Sequence, residues 1–319
     1  MPDIVLVPLL AVVLQVFHPR SPGTRAILDL GIESSVIFAL IFAIVAGVIV
    51  YALMRFRWRE GEPDPHQNAG NRRLELIWTA IPCVIVIALF ALTARAMTRA
   101  DPPPAPEPDL LIIGHQWWWE ARYPKSGVIV ANEIHLPVGR PFSVQLESND
   151  VLHEFWVPQL ARKMATVPGH PNHIWIEADQ PGVYRGVCSE FCGTEHAWMH
   201  VLIVAQTPAD YAAWAAAQLR PAAATAGLAA TEGRALFLRT SCITCHAIAG
   251  TAAQARVGPD LTHFGSRRQL GSGIVANTPA NLRRWLSNPQ AVKPGAKMPD
   301  YKFTDAEISD LVAYFATLQ

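Results

Sequence analysis

Two long apolar runs constrain this chain more than any other feature. Ile32 to Met54 reads I-E-S-S-V-I-F-A-L-I-F-A-I-V-A-G-V-I-V-Y-A-L-M, and Leu74 to Met97 is of similar length. About 20 apolar residues in helical form cross a bilayer. Inside hydrocarbon, backbone groups must pair with one another, so each run predicts a membrane-spanning helix. Pro82, in the first half of the second run, predicts a kink. Between the runs lie Arg55, Arg57, Arg59, Arg72 and Arg73. A short basic connection stays in the cytoplasm, and Glu60, Glu62 and Asp64 weaken that little. The two spans then form a hairpin, with everything after residue 100 on the outer side.

Composition supports a membrane protein: 51% of the 319 residues are hydrophobic. Lys+Arg and Asp+Glu are both 26, a net charge of +0, which argues against nucleic acid as the main partner. Residues 1–17 are apolar but broken by Pro2, Asp3, Pro8 and Gln15. They read either as a cleaved signal or as a retained peripheral segment.

Beyond the spans, Asp101–Pro108 (D-P-P-P-A-P-E-P) is a stiff, extended spacer. Strand-like runs follow at Leu110–Ile113, Val128–Ala131, Phe142–Glu147, His173–Glu177, Gly182–Val187 and Val201–Val204. Short strands at this spacing, separated by turn residues, predict an all-β sandwich or barrel. Residues 207–230 read as a helix running into an Ala-rich linker. Thr231–Thr240, Pro279–Ser287 and Thr304–Leu318 look helical, and in the last Ile308, Leu311, Val312, Phe315 and Leu318 recur at helical spacing.

Five cysteines fall as the isolated Cys83 and two close pairs, which is cofactor spacing rather than a disulfide framework. The first pair lies in C-S-E-F-C-G-T-E-H-A-W-M, containing Cys188, Cys192, His196 and Met199. Thiolate, imidazole and thioether are soft ligands, favouring copper over magnesium, calcium or manganese. Gly193 lets the chain turn back tightly. A Cys188–Cys192 disulfide and a zinc site remain open alternatives. His153, in N-D-V-L-H-E-F-W-V-P, is a candidate second imidazole; by itself it would read as an ordinary edge histidine. The second pair lies in Cys242-Ile243-Thr244-Cys245-His246, the C-x-x-C-H pattern of covalent haem c attachment. His246 is the iron ligand, and Met298 in G-A-K-M-P-D-Y is the sixth; a Met/His pair suits an electron carrier. His263 is a rival for the sixth position.

D-V-L-H-E-F-W-V-P followed by C-S-E-F-C-G-T-E-H-A-W-M resembles subunit II of haem-copper cytochrome c oxidases, and the resemblance extends over residues 32–206. Met298-Pro299 before a terminal helix, with Gly258-Pro259-Asp260-Leu261, resembles the small class I cytochromes c. The resemblance implies a multidomain fold: a two-helix transmembrane hairpin, an all-β cupredoxin-like sandwich and an all-α cytochrome c domain. The implied boundaries are 1–25 for the signal or peripheral segment and 26–100 for the hairpin, with spans about 32–54 and 74–97. The copper domain is 108–206, the helix and linker 207–230, and the cytochrome domain 231–319.

The family's dinuclear copper centre implies a role for each matching residue. Cys188 and Cys192 bridge two coppers, and His153 and His196 bind one each. Met199 and the backbone carbonyl of Glu190 are weak ligands. Trp117, in G-H-Q-W-W-W-E, matches the position that receives electrons; by itself it reads as packing. Glu75, in L-E-L-I-W-T-A-I-P, matches a carboxylate at the mouth of a proton path, or is an interfacial helix-start residue. The Glu190 carboxylate matches a residue near a magnesium ion at the subunit I contact. Where the family reads K-x-D-x-x-P-G-R-x-N, this chain has Ala165 and His170 in place of the Asp and Arg.

The implied activity is electron relay from haem c to copper and on to subunit I, where oxygen reduction is coupled to proton translocation. Tethering the cytochrome raises its effective concentration at the copper site. Implied partners are oxidase subunits I and III, the membrane, and an external donor such as a cytochrome c or a quinol-oxidising complex. The implied location is the bacterial inner membrane, with both redox domains periplasmic. Two rival readings are the electron-receiving subunit of a copper-containing nitric oxide reductase and a stand-alone membrane-anchored carrier. C-x-x-C-H argues against a third, a copper chaperone or sensor.

Overall fold

The computed structural model describes residues 14–63, 66–67, 70–222 and 225–319. Most of the apolar segment 1–17 therefore lies outside the described residues, as does Asp64. The chain divides into two compact units, Arg25–Pro102 and the remainder, Met1–Thr24 with Pro103–Gln319.

The helical unit holds two long helices, α1 (Pro22–Arg55, which begins just before it) and α2 (Arg72–Ala100), of 34 and 29 residues. They extend beyond the apolar runs, because polar flanks such as Arg72 and Arg73 continue the same backbone hydrogen bonding. Asn71 caps α2 by accepting from the Arg73 and Leu74 N–H groups, and Glu75 places a carboxylate against the positive helix start. The helix continues through Pro82 without interruption. Apolar side chains on both helices are exposed: Phe42 is 75% and Phe90 74% accessible. Surfaces of that kind are stable in lipid, not in water. Both helices are long and apolar enough to cross a membrane.

In the other unit, ten strands form two five-stranded sheets. Their bounds are β1 (Leu110–His115), β2 (Trp118–Tyr123), β3 (Val128–Ala131), β4 (Glu133–Pro137), β5 (Phe142–Ser148), β6 (His153–Trp156), β7 (Met164–Thr166), β8 (Asn172–Ile176), β9 (Gly182–Cys188) and β10 (His200–Gln206). The sheet orders are β3-β2-β1-β5-β8 and β4-β10-β9-β6-β7. Within them β1 runs parallel to β5 and β4 parallel to β10. Inward residues of both sheets interdigitate in one core that includes Leu110, Ile112, Trp119, Leu146, Phe155 and Ile203.

Four strands, β2, β4, β6 and β7, were absent from the hydrophobic pattern. All five residues of β4 are buried, yet they include Glu133 and His135, which mask its strand character in the sequence. Helix α3 (Pro208–Gln218), capped by Thr207, follows β10. Its Trp214 stacks on His135 with ring centroids 4.1 Å apart, and its Tyr211 meets Phe142 edge-on.

The C-terminal part is helical: α4 (Leu228–Arg239), α5 (Pro279–Ser287), α6 (Pro289–Val292) and α7 (Asp305–Thr317), with a short antiparallel ladder of β11 (Gln269–Leu270) and β12 (Val275–Ala276). Thr304 and Glu307 form a reciprocal capping box at the start of α7. Helices α4 and α7 cross closely at Gly233, where any Cβ would collide with the Asp310 carbonyl. Phe237, Ile308, Leu311, Tyr314 and Phe315 fill the core beside them.

Candidate metal centre and haem cleft

Three elements bring the soft donors together. His153 opens β6, Cys188 closes β9, and the loop after it returns through a single 3-10 turn at His196–Trp198 to β10. The Cys188 N–H donates to the Met199 carbonyl across the base of that loop at 2.9 Å. Cys188 Sγ lies 3.8 Å from Cys192 Sγ, 4.0 Å from His153 Nδ1 and 3.2 Å from the Glu190 carbonyl oxygen. Cys192 Sγ lies 3.6 Å from His196 Nδ1 and 3.9 Å from Met199 Sδ. The sulfurs are unbonded, which sets aside the disulfide. A tetrahedral zinc needs four donors. Here there are six, two thiols with two further donors beside each, and that set fits a pair of coppers better than one zinc.

Two glycines make the close approach feasible. A Cβ at Gly114 would lie 2.7 Å from His153 Cδ2, and one at Gly193 would lie 2.9 Å from the Trp117 ring. Gly193 also has φ +119, which disfavours a side chain.

Electrostatics favour losing one proton from the thiols and resist losing the second. Hydrogen bonding from Cys192 leads in holding Cys188 down at about 4, against its burial, and His153 and nearby backbone groups assist. The same thiol–thiol bond, then burial, pushes Cys192 up. A second thiolate therefore needs added positive charge, which a bound metal supplies. Burial opposes charge on His153, but hydrogen bonds with Cys188 and Asp150 outweigh it and raise its pKa above 6.5. His153 is fully buried, and its Nε2 is 2.8 Å from Asp150 Oδ1. That carboxylate also accepts from the Gln116 N–H at 2.6 Å. Asp150 thus orients the imidazole so that Nδ1 faces the sulfurs. Sequence reasoning missed it, although an acidic residue three before a candidate ligand was visible in N-D-V-L-H.

The three tryptophans have separate placements. Trp119 is in the core, edge-on to His153 and Phe155. Trp118 stacks on His115 at 4.3 Å. Trp117 donates its indole N–H to the Cys192 carbonyl at 3.0 Å, and the Gln116 side chain donates to the same oxygen at 2.8 Å. Trp117 also lines a second site. That cleft is bounded by Cys242, Cys245, His246, Met298, Trp285 and Phe264, among others.

Within the cleft, the His246 ring is fixed by a 2.7 Å contact of Nδ1 with the Pro259 carbonyl oxygen, which leaves Nε2 available as a ligand. Met298 Sδ accepts from the Trp285 indole at 3.1 Å. An apolar slot with two cysteines, an oriented imidazole and a thioether fits a c-type haem. His263 does not compete: its ring nitrogens contact the carbonyl oxygens of Gln319 and Gln218 at 2.8 and 3.1 Å.

The remaining candidates are peripheral. Glu75 is exposed in the first turn of α2, and Glu190 is exposed in the loop after β9. Ala165 pairs with Glu154 in the β6–β7 ladder, where Lys163 meets the Glu154 carboxylate at 2.9 Å. His170 is exposed in the following turn.

Comparison with known proteins finds family matches for three consecutive regions of the chain. Residues 11–94 match the transmembrane domain of cytochrome c oxidase subunit II, 126–206 its periplasmic domain, and 230–319 cytochrome c. Cytochrome c oxidase subunit 2 of Alkalihalophilus pseudofirmus is 36% identical over 96% of this chain and 91% of its own length. That of Bacillus sp. strain PS3 is 32% identical over 83% of this chain and 80% of its own. Among solved structures, the periplasmic domain of subunit II of Bradyrhizobium japonicum cytochrome oxidase is 30% identical, covering 35% of this chain and 95% of that one at a TM-score of 0.34. With three consecutive regions matching and near full-length similarity to such relatives, this membrane-anchored chain belongs to the cytochrome c oxidase subunit 2 family, in a form carrying a C-terminal cytochrome c domain.

Proposed function

We propose that this chain delivers electrons to the oxygen-reducing subunit I of a haem-copper terminal oxidase, taking them from a donor outside the membrane. Cys188, Cys192, His153 and His196 would hold a copper pair, with Met199 and the Glu190 carbonyl as weaker donors. Cys242 and Cys245 would carry the haem, with His246 and Met298 as the residues that hold its iron. Bound there, a copper pair and a haem iron would supply one-electron couples.

The observation that carries this reading is the position of Trp117: it walls the haem cleft while its indole bonds to the Cys192 carbonyl at 3.0 Å. The sandwich holds the donors in a fixed frame, so little rearrangement accompanies charge transfer. Glu75 would stand at the mouth of a proton path in the partner subunit, and the exposed Glu190 carboxylate is what the chain offers a magnesium ion at the subunit I contact. By the positive-inside rule the arginine-rich connection would stay in the cytoplasm, leaving both redox domains on the periplasmic face of the bacterial inner membrane. Subunit III would complete the complex, and the external donor is a cytochrome c or a quinol-oxidising complex.

Metal and haem counting with electron spin resonance on the purified complex tests this. Two coppers and one haem c per chain are expected, with a signal from one unpaired electron shared by both coppers. Cys192→Ser should abolish that signal and spare the haem. Zinc, or a single copper, in the native protein would sink the assignment. A complex that consumes nitric oxide and not oxygen would instead favour the reductase, and a chain that purifies alone would favour the free carrier.

A further inference from the structure

The haem-bearing part does more than hang from a linker; it is seated on the metal loop through a buried cation. Lys293, just after α6, is 4% exposed. Its Nζ lies 3.0 Å from Glu195 Oε2, 3.0 Å from the Trp117 carbonyl and 3.4 Å from Ser272 Oγ. An ammonium has three N–H donors, and here each finds an acceptor. Two of those acceptors belong to the sandwich, so the buried charge is satisfied only while the two parts stay together. Ser272 Oγ adds a second donor to the Trp117 carbonyl at 2.7 Å. Packing gives an independent sign of close seating: a Cβ at Gly273 would lie 2.9 Å from His200 Cβ.

We propose that Lys293 is a clamp that locks the haem domain onto Trp117 and Glu195, fixing the spacing between the haem cleft and the metal loop. Burial shields the pair from screening, so the seat survives high salt, unlike a diffusing cytochrome held by exposed charges. Trp117 is thereby covered, at 9% exposure. An outside donor cannot reach it and must meet the haem domain instead. The clamp is built from this chain's own residues; only its consequence for the donor rests on the proposed relay.

Two backbone amides report the seat. The His200 N–H donates to the Ser272 carbonyl at 3.1 Å, and the Arg268 N–H donates to Glu133 Oε2 at 2.9 Å. Hydrogen exchange by mass spectrometry on the full chain should find both protected, at low and high salt alike. In Lys293→Met both should exchange about tenfold faster, while the amides of α4 and α7 keep their protection. Hydroxyl-radical footprinting should find Trp117 unmodified in the native chain and modified in Lys293→Met. If Lys293→Met also loses protection in α4 and α7, Ser272→Ala decides: a faster exchange of about threefold at His200 and Arg268 supports the clamp. Linker-like exchange at these amides in the native chain would overturn the clamp, as would native protection in either variant. Because exchange reads the seat and not electron transfer, a failed clamp is distinguishable from a failed relay.

Discussion

Asp150 holds His153 by a 2.8 Å contact that leaves Nδ1 turned toward the sulfurs. Asp150→Ala should therefore weaken copper binding by about 10- to 100-fold while the strands remain folded, as measured by competition against a chelator. A second buried carboxylate shows how residue-scale charge becomes pH-dependent stability. Glu120 is 2% exposed, 3.1 Å from His115 and 2.5 Å from Arg122. Burial alone would raise its pKa, but hydrogen bonds from His115 and Arg122 outweigh that and lower it below 4.5. Its contribution is thus complete above the unfolded value near 4.5 and lost as pH falls through the lower folded value. Glu120→Gln should cost about 1–3 kcal/mol at neutral pH, and less in acid. Denaturant titrations at pH 7 and in acid would reveal a constant difference if the mechanism were wrong.

At the scale of elements, the haem-bearing part depends on two helices meeting without side-chain separation. Gly233 on α4 faces the Asp310 carbonyl on α7, and a methyl group there has nowhere to go because the obstacle is backbone. Gly233→Ala should destabilise this part by about 3 kcal/mol, read as a lowered unfolding midpoint of the helical signal. An unchanged midpoint would mean that the helices can separate at little cost. The elements were unequally visible in the sequence. Helix α5 appears with its expected bounds, Pro279–Ser287, because a capping Thr and a first-turn Pro mark its start. Strand β7 is only Met164–Thr166, too short to show a period, and its place beside β6 is set by tertiary pairing.

For the whole molecule, the metal loop and the haem cleft share a wall, so their stabilities should be linked. A ligand that binds only the folded state raises its midpoint. Stripping copper with a chelator should lower the thermal transition of the sandwich, and through the Lys293 seat that of the haem-bearing part as well. Calorimetry that moved the first transition alone would show the two to be energetically independent. Charge balance at +0 means that neither transition should depend strongly on overall electrostatic repulsion.

Sequence alone determined the local chemistry: which residues are soft ligands, which runs are long and apolar, and where C-x-x-C-H provides two thiols beside an imidazole. These follow from residue type at short spacing, and short spacing survives in any fold. The tertiary structure alone decided the long-range meetings. His153 reaches Cys188 because β6 and β9 are neighbours in one sheet. Trp117 reaches both centres because the turn after β1 is enclosed by residues more than 150 positions later, Ser272 and Lys293. No periodicity encodes such a contact, since it depends on how whole elements pack and on a buried charge finding its partners.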